Sequence, residues 1–284
     1  DFMKTPKEVY HQRIANEKPF ITFEMLADIH QISCFKDKTL RRAFDDIKQR
    51  DIHYLFCLGD LTNNACFFQF RAFFSLLNPY GFHHLIALGN HDLYHAHHDE
   101  SMRIDPTCKR YVYRHEVYYK EELKGCSFYV LNTQKPQKDN MYFEKDQLEW
   151  LQDALNQDKN NWKFVLCHHP LANTHPGSER RDMHIGYQNA QLEKILLHHH
   201  VIYISAHLHN SYSLPALYLN KDILCVNVPA FHQVEHGIKK DQVGMQIQVF
   251  TDFLYIRFYD HQEHRFLDSV TYIYDHKHRI IHII

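Results

Sequence analysis

The 284-residue sequence predicts an α/β fold in which two mixed β-sheets pack as a sandwich flanked by helices, with the active site at the carboxyl ends of the strands. Three observations predict it. Apolar runs of strand length recur through residues 21–210, several followed by segments whose apolar residues keep helical spacing, as in βαβ units. Five of these runs end directly in a cluster of Asp, His or Asn, and in a parallel sheet such ends converge on the edge where ligands bind. Beyond Ile223 strand follows strand with no helix between, which reads as a second, largely antiparallel sheet.

Residues 1–20 form a polar N-terminal extension. A strand over 21–27 ends in Asp28-Ile29-His30. Leu40, Phe44 and Ile47 then recur at helical spacing, and a second strand over 53–58 ends in Gly59-Asp60. Phe67, Phe70, Phe74 and Leu77 form the apolar stripe of the next helix. The third strand, 82–88, stops at Gly89-Asn90-His91-Asp92. The histidine-rich stretch 95–119 has no period and reads as a loop over the site edge or a short insertion. Strands over 127–131 and 164–167 flank a helix over 147–155 with Leu148, Leu151 and Leu155 on one stripe, and the second of these strands runs into His168-His169-Pro170. A polar loop, a helix over 191–197 and a strand over 201–205 follow, ending in Ala206-His207-Leu208-His209. Strands over 223–228, 246–250, 254–259 and 269–274 complete the chain, with Thr251-Asp252 as a hairpin turn. No Pro-, Gly- or Ser-rich linker and no internal repeat divides it. The expectation is one domain over 1–284, with a motif-bearing α/β part at 21–210 and mostly antiparallel strands at 211–284.

Apolar residues at 44% and charged residues at 23% are the balance of a chain that folds throughout. A net charge of −2 supplies no field for a nucleic acid polymer or an anionic membrane, and no apolar run reaches the ~20 residues of a bilayer span. The expected location is the cytoplasm, although a leader cleaved upstream would leave no trace. Seven cysteines, an odd number without a C-x-x-C pair, argue against a disulfide framework. With 26 histidines, only position distinguishes the functional few.

The strand ends carry Asp28, His30, Asp60, Asn90, His91, Asp92, His168, His169, His207 and His209. Oxygen and imidazole donors without thiolate suit Mn, Fe, Zn or Co. They are too many for one ion. A carboxylate shared between two donor sets would hold two ions ~3.5–4 Å apart, the arrangement that activates water for in-line phosphoryl displacement. Strand alternation turns His169 away from His168 and gives it a packing role, or one supporting the ligands from behind, in preference to ligation. His198-His199-His200 read as a cap near the negative end of the preceding helix. Arg180, Arg181 and His184 occupy the loop after Leu171, where groups contacting the rest of a phosphate ester would stand.

The order Asp-x-His, Gly-Asp, Gly-Asn-His-Asp, His-x-Pro and x-His-x-His, each directly after an apolar strand, resembles the calcineurin-like metallophosphoesterase superfamily over residues 21–209. Leu131-Asn132-Thr133, Gln147-Leu148-Glu149-Trp150-Leu151 and Asn227-Val228-Pro229-Ala230 look like the branch holding class III cyclic-nucleotide phosphodiesterases and purple-acid-phosphatase-like enzymes. The resemblance implies that Asp28, His30 and His209 hold one ion, that Asn90, His168 and His207 hold the other, and that Asp60 bridges them. It further implies a hydroxide between the ions as nucleophile, His91 donating a proton or hydrogen bond to the leaving oxygen, and Asp92 orienting the His91 ring. Two departures stand out. Ala206 replaces the family's usual glycine, and Leu61, Thr62 and Asn63 follow Asp60 where purple acid phosphatases supply a tyrosine ligand. The implied activity is hydrolysis of phosphodiester bonds in a small substrate, of cyclic nucleotide or glycerophosphodiester type. The alternatives are a phosphomonoesterase or phosphoprotein phosphatase with the same metal core, and a metal-binding interaction module without turnover. The intact His91-Asp92 pair argues against the last.

Overall fold

The structure is a computed structural model that describes residues 5–32, 37–93, 118–133 and 143–284. Its first sheet has seven strands. β1 (Ile21–Leu26), β2 (Tyr54–Leu58) and β3 (His83–Ala87) run parallel, and antiparallel β10 (Val243–Val249), β11 (Phe253–Asp260), β12 (Arg265–Asp275) and β13 (Ile280–Ile283) extend it from the other edge of β1. The second sheet has six strands: β4 (Tyr119–Leu123), β5 (Cys126–Val130), β6 (Trp162–Leu166), β7 (Ile202–Ser205), β9 (Ile223–Asn227) and β8 (Leu217–Asn220), in that spatial order. β5, β6, β7 and β9 are parallel in it.

The inner faces of the two sheets meet in one apolar core. Phe23 and Phe56 from the first sheet set their rings against Phe128 of the second, edge to face, at centroid separations of 5.7 and 5.0 Å. Helices cover the outer faces. α2 (Lys38–Gln49) and α3 (Phe67–Leu77) bury Leu40, Phe44, Ile47, Phe70, Phe73 and Phe74 against the first sheet. α4 (Lys145–Gln157) and α5 (Asn189–Leu196) bury Leu148, Leu151, Leu155 and Leu192 against the second. None of the described helices is long and apolar enough to cross a membrane.

The strands after Ile223 do not make the second sheet, contrary to the expectation from their order. β9 joins β7 in parallel, while β10 pairs Val249 through Met245 with Ile21 through Met25 and so covers the second edge of β1. An open edge there would leave a row of buried N–H and C=O groups without partners. Four elements were not anticipated: α1 (Pro6–Asn16), β4, β8 and β13. The signal for α1 is in the chain, because Thr5 and Glu8 form a reciprocal capping box around Pro6 at the first helical position. The polar stretch 95–119 lies outside the described residues up to 117, and Tyr119 opens β4.

A charged network, largely buried, lies beside β1. Glu24 on β1 is fully buried and meets Arg50 at 3.1 Å and His261 at 3.3 Å. The other nitrogen of His261 lies 2.9 Å from Asp46, which also takes His264 at 2.6 Å. The Arg50 guanidinium rests 3.8 Å above the Tyr259 ring. Burial pushes the His261 imidazole down, but hydrogen bonds to Asp46 and Glu24 outweigh it and raise the ring above its ordinary 6.5. A folded value raised above the unfolded one gives stability that is complete below about pH 6.5 and is lost as pH rises through the folded value. Urea midpoints measured between about pH 6 and pH 9 are therefore expected to fall more steeply for the parent than for His261→Gln. Equal slopes would show that His261 is neutral in the fold.

Candidate metal centre

The strand ends share a backbone geometry. Asp28, His30, Asp60, His207 and His209 all have positive φ, between 47° and 68°, which non-glycine residues adopt at a cost of about 1–3 kcal/mol each. They sit just past β1, β2 and β7, where short backbone bonds tie the loops together: Asp28 N–H to Gly59 O at 3.1 Å and His30 N–H to Asp60 O at 2.8 Å. Ala206 does not adopt a positive φ, so the departure from glycine there carries no strain.

Two donor groups result. Asp28, His30, Asp60 and His209 each bring one ligand atom within 4.8 Å of the others, and His168, His169 and His207 do the same. Asp60 joins them, its Oδ2 lying 3.7 Å from His30 Nε2 and 3.4 Å from His168 Nε2. The backbone carbonyls around the site fix the imidazole tautomers. Since a carbonyl only accepts, His168 Nδ1 must carry the hydrogen that meets Leu58 O at 2.7 Å, His209 Nδ1 the one that meets Gln233 O at 2.8 Å, and His207 Nε2 the one that meets Asp182 O at 3.3 Å. The opposite nitrogens of these rings face the site. His207 Nδ1 then faces His168 Nε2 at 3.2 Å, and His209 Nε2 faces His30 Nε2 at 3.2 Å.

Each contact is a hydrogen bond when one of the two nitrogens carries a proton, and each pair converges on a cation when both are bare. The carboxylates also suit a cation. Asp28 is fully buried and neither of its oxygens makes an aligned hydrogen bond, although the His207 amide lies near enough to favour its charged form. Burial pushes Asp28 up, and Asp60 is held well below the usual carboxylate range because the nearby imidazoles, His168 foremost, outweigh its burial. Burial lowers His30 to about 4 and, with the His168 ring, His207 to about 3, so both stay neutral and able to ligate. His168 is driven the other way, to about 9, as Asp60 draws positive charge to it against its burial. The donors present thus fit a pair of cations.

His91 and Asp92 follow β3 in the turn that carries Asn90. The half-buried His91 ring stands edge-on to His30 at 4.7 Å, and its backbone N–H reaches Asp60 Oδ1 at 2.9 Å. Asp92 does not orient it. The Asp92 carboxylate instead collects the backbone N–H groups of Leu61 (3.0 Å), Thr62 (2.8 Å) and Gly89 (3.2 Å), and His91 Nδ1 is held by Asn63 O at 2.5 Å. Consecutive side chains in a turn diverge, so adjacency in sequence did not bring this pair together. Burial, and then Asp60, lifts Asp92 to about 6.

Three further features escaped the sequence reading. His169 does not point away from the site. Its ring lies 4.1 Å from that of His207, because β6 ends at Leu166 and the alternation of a strand does not extend past it. Gly59, with φ +86°, and Gly89 are required sterically: a Cβ at Gly59 would stand 2.7 Å from Gly89 N, and one at Gly89 would stand 2.5 Å from Asp60 N and overlap its carboxylate. Gly89→Ala is expected to displace Asp60 and leave fewer than two ions per chain, measured by elemental analysis after loading with Mn. Of the loop residues, His184 comes into electrostatic range of His169, whereas Arg180 and Arg181 are exposed on the turn whose Asp182 carbonyl holds His207. His198, His199 and His200 do not gather around a common point, and His200 Nε2 meets the Arg279 guanidinium at 2.9 Å.

Residues 22–211 match the family described as calcineurin-like phosphoesterase. The chain belongs to this family. It is accordingly a metal-dependent phosphoric ester hydrolase, and the two donor groups are its candidate metal ligands. A relative, a probable cyclic nucleotide phosphodiesterase of Synechococcus sp., is 21% identical over 209 residues, covering 70% of this chain and 77% of the relative. A purple acid phosphatase from yellow lupin seeds shares the fold with a TM-score of 0.61 at 13% identity, over 87% of this chain and 52% of the lupin chain. The chain therefore spans about half the length of that phosphatase. PhoD aligns with a TM-score of 0.64 at 11% identity over 93% of this chain and 71% of its own, and the Plasmodium inner-membrane-complex anchor GAP50 with 0.56 at 13% identity, over 90% and 88%.

Proposed function

We propose that this calcineurin-like phosphoesterase hydrolyses phosphodiester bonds of a small substrate, of the cyclic nucleotide or glycerophosphodiester type. The observation that carries the reading is the position of His91, a half-buried ring edge-on to His30 with its backbone tied to the shared Asp60. The likeness to the Synechococcus protein supports the diester over the monoester.

In this reading Asp28, His30 and His209 would hold one ion, Asn90, His168 and His207 would hold the second, and Asp60 would serve both. The neutral Asn90 amide would ligate through oxygen without setting another negative charge against an anionic substrate. When bound, the ions supply an activated water and neutralise charge on the phosphoryl oxygens. The chain's own residues do the rest. The Leu58, Gln233 and Asp182 carbonyls accept the outward hydrogens of His168, His209 and His207 and so aim the opposite nitrogens at the site. Asn63 O accepts the hydrogen on His91 Nδ1, so Nε2 would give a proton or hydrogen bond to the leaving oxygen from the doubly protonated form of the ring. Asp92 pins the Leu61 and Thr62 amides, and so fixes the loop that carries Asn63. Arg180, Arg181 and His184 would contact the remainder of the ester. The residues after Asp60, Leu61 and Thr62, are buried and offer no phenolate, so a purple acid phosphatase is disfavoured.

Mn-loaded protein offered bis(p-nitrophenyl) phosphate, p-nitrophenyl phosphate and cyclic AMP is expected to cleave the diesters faster, with turnover abolished by chelator. Preference for the monoester would reverse the assignment, and no metal-dependent cleavage of any of the three would exclude hydrolysis of these esters.

A further inference from the structure

We propose that His169 is a direct ligand of the ion assigned to His168 and His207, so that three imidazoles and not two face it. The proposal rests on the two-ion reading above. The His169 side chain is 1% exposed, and its Nδ1 has no hydrogen-bond partner among the described residues. A buried polar atom left unsatisfied costs about 1–3 kcal/mol, and a ring there only to fill space would be served as well by leucine. Neighbouring His168 and His207 show the opposite economy, each having its outward nitrogen on a backbone carbonyl.

The placement fits a single ion. The His169 ring centroid is 4.1 Å from that of His207 and 4.9 Å from that of His168, and one nitrogen from each of the three lies within 4.8 Å of the others. Nitrogens bound at ~2.0–2.1 Å to one ion are at most ~4.2 Å apart, so a pair at the 4.8 Å limit would have to close by about 0.6 Å, while His207 Nδ1 and His168 Nε2 at 3.2 Å already fall within that span. The Tyr203 hydroxyl donates to His169 O at 2.7 Å and fixes the backbone from which the ring projects. The two ions then differ in chemistry. One is held by two carboxylates and two imidazoles, the other by three imidazoles, an amide oxygen and the shared Asp60. Imidazole-rich sites favour Zn, Fe, Co or Ni over Mn, so this ion should be the harder to exchange for Mn.

The test compares Co-loaded parent, His169→Leu and His169→Gly, with folding checked by circular dichroism. His169→Leu is expected to keep its fold and one ion, to bind the other at least about 100-fold more weakly, beyond the ~10–100-fold caused by losing an outer partner, and to change the visible cobalt spectrum. In His169→Gly, added imidazole is expected to restore the parental spectrum. If leucine is not accommodated, His169→Asn carries the same comparison. Parental affinity and spectrum in the folded variants, with no response to imidazole, would overturn the proposal and leave His169 a packing residue. Fewer than two cobalt ions in the parent would instead defeat the two-ion reading itself.

Discussion

Replacing His91 with alanine is expected to lower turnover of a phosphodiester by about 10²- to 10⁴-fold, the range for a lost general acid, with two ions still bound per chain. The geometry separates the two effects. His91 reaches Asp60 only through its backbone N–H, 2.9 Å from Oδ1, a bond that alanine retains. Its ring is anchored on the Asn63 carbonyl and contacts His30 by its edge, so its removal takes away a proton donor and no assigned ligand. A leaving group that departs without protonation should suffer least, so the deficit should shrink for bis(p-nitrophenyl) phosphate relative to cyclic AMP. A uniform deficit accompanied by loss of metal would instead place His91 in the metal site.

Asp60→Asn is expected to cost the most in metal. The substitution keeps the size of the side chain and an oxygen for the His91 amide, but removes the charge that lies 3.7 Å from His30 and 3.4 Å from His168. The side chain is 1% exposed, so solvent cannot replace that charge. Loading with Mn followed by gel filtration should recover fewer than two ions per chain, with binding weakened by more than the ~100-fold upper range for outer partners. Two ions retained at parental affinity would mean that Asp60 does not bridge.

Much of the site could be read from the chain, because its chemistry is concentrated at strand ends. Asp28, His30, Asp60, His168, His207 and His209 each follow an apolar run, and parallel pairing of β1 with β2 and of β6 with β7 brings those ends together. The pairing of His91 with Asp92 and the outward orientation expected of His169 failed for one reason. Both applied the regularity of strands or of sequence adjacency to turns, where φ and ψ are set residue by residue. The glycines at 59 and 89 looked uninformative because their necessity comes from what lies across from them, His168 and Asp60. The capping box of α1 was legible and was passed over.

By itself the sequence determined the fold class, the strands and helices that carry the motifs, and the residue types that end five of those strands, since periodicity and local chemistry act within a few residues. The tertiary structure alone decided that β10 covers the second edge of β1, which imidazole nitrogen donates its hydrogen to which carbonyl, and that the His169 ring turns toward His207. Each of these depends on groups far apart in the chain competing for the same buried hydrogen-bonding positions. Such a competition is settled only when both sheets are assembled and water is excluded from between them.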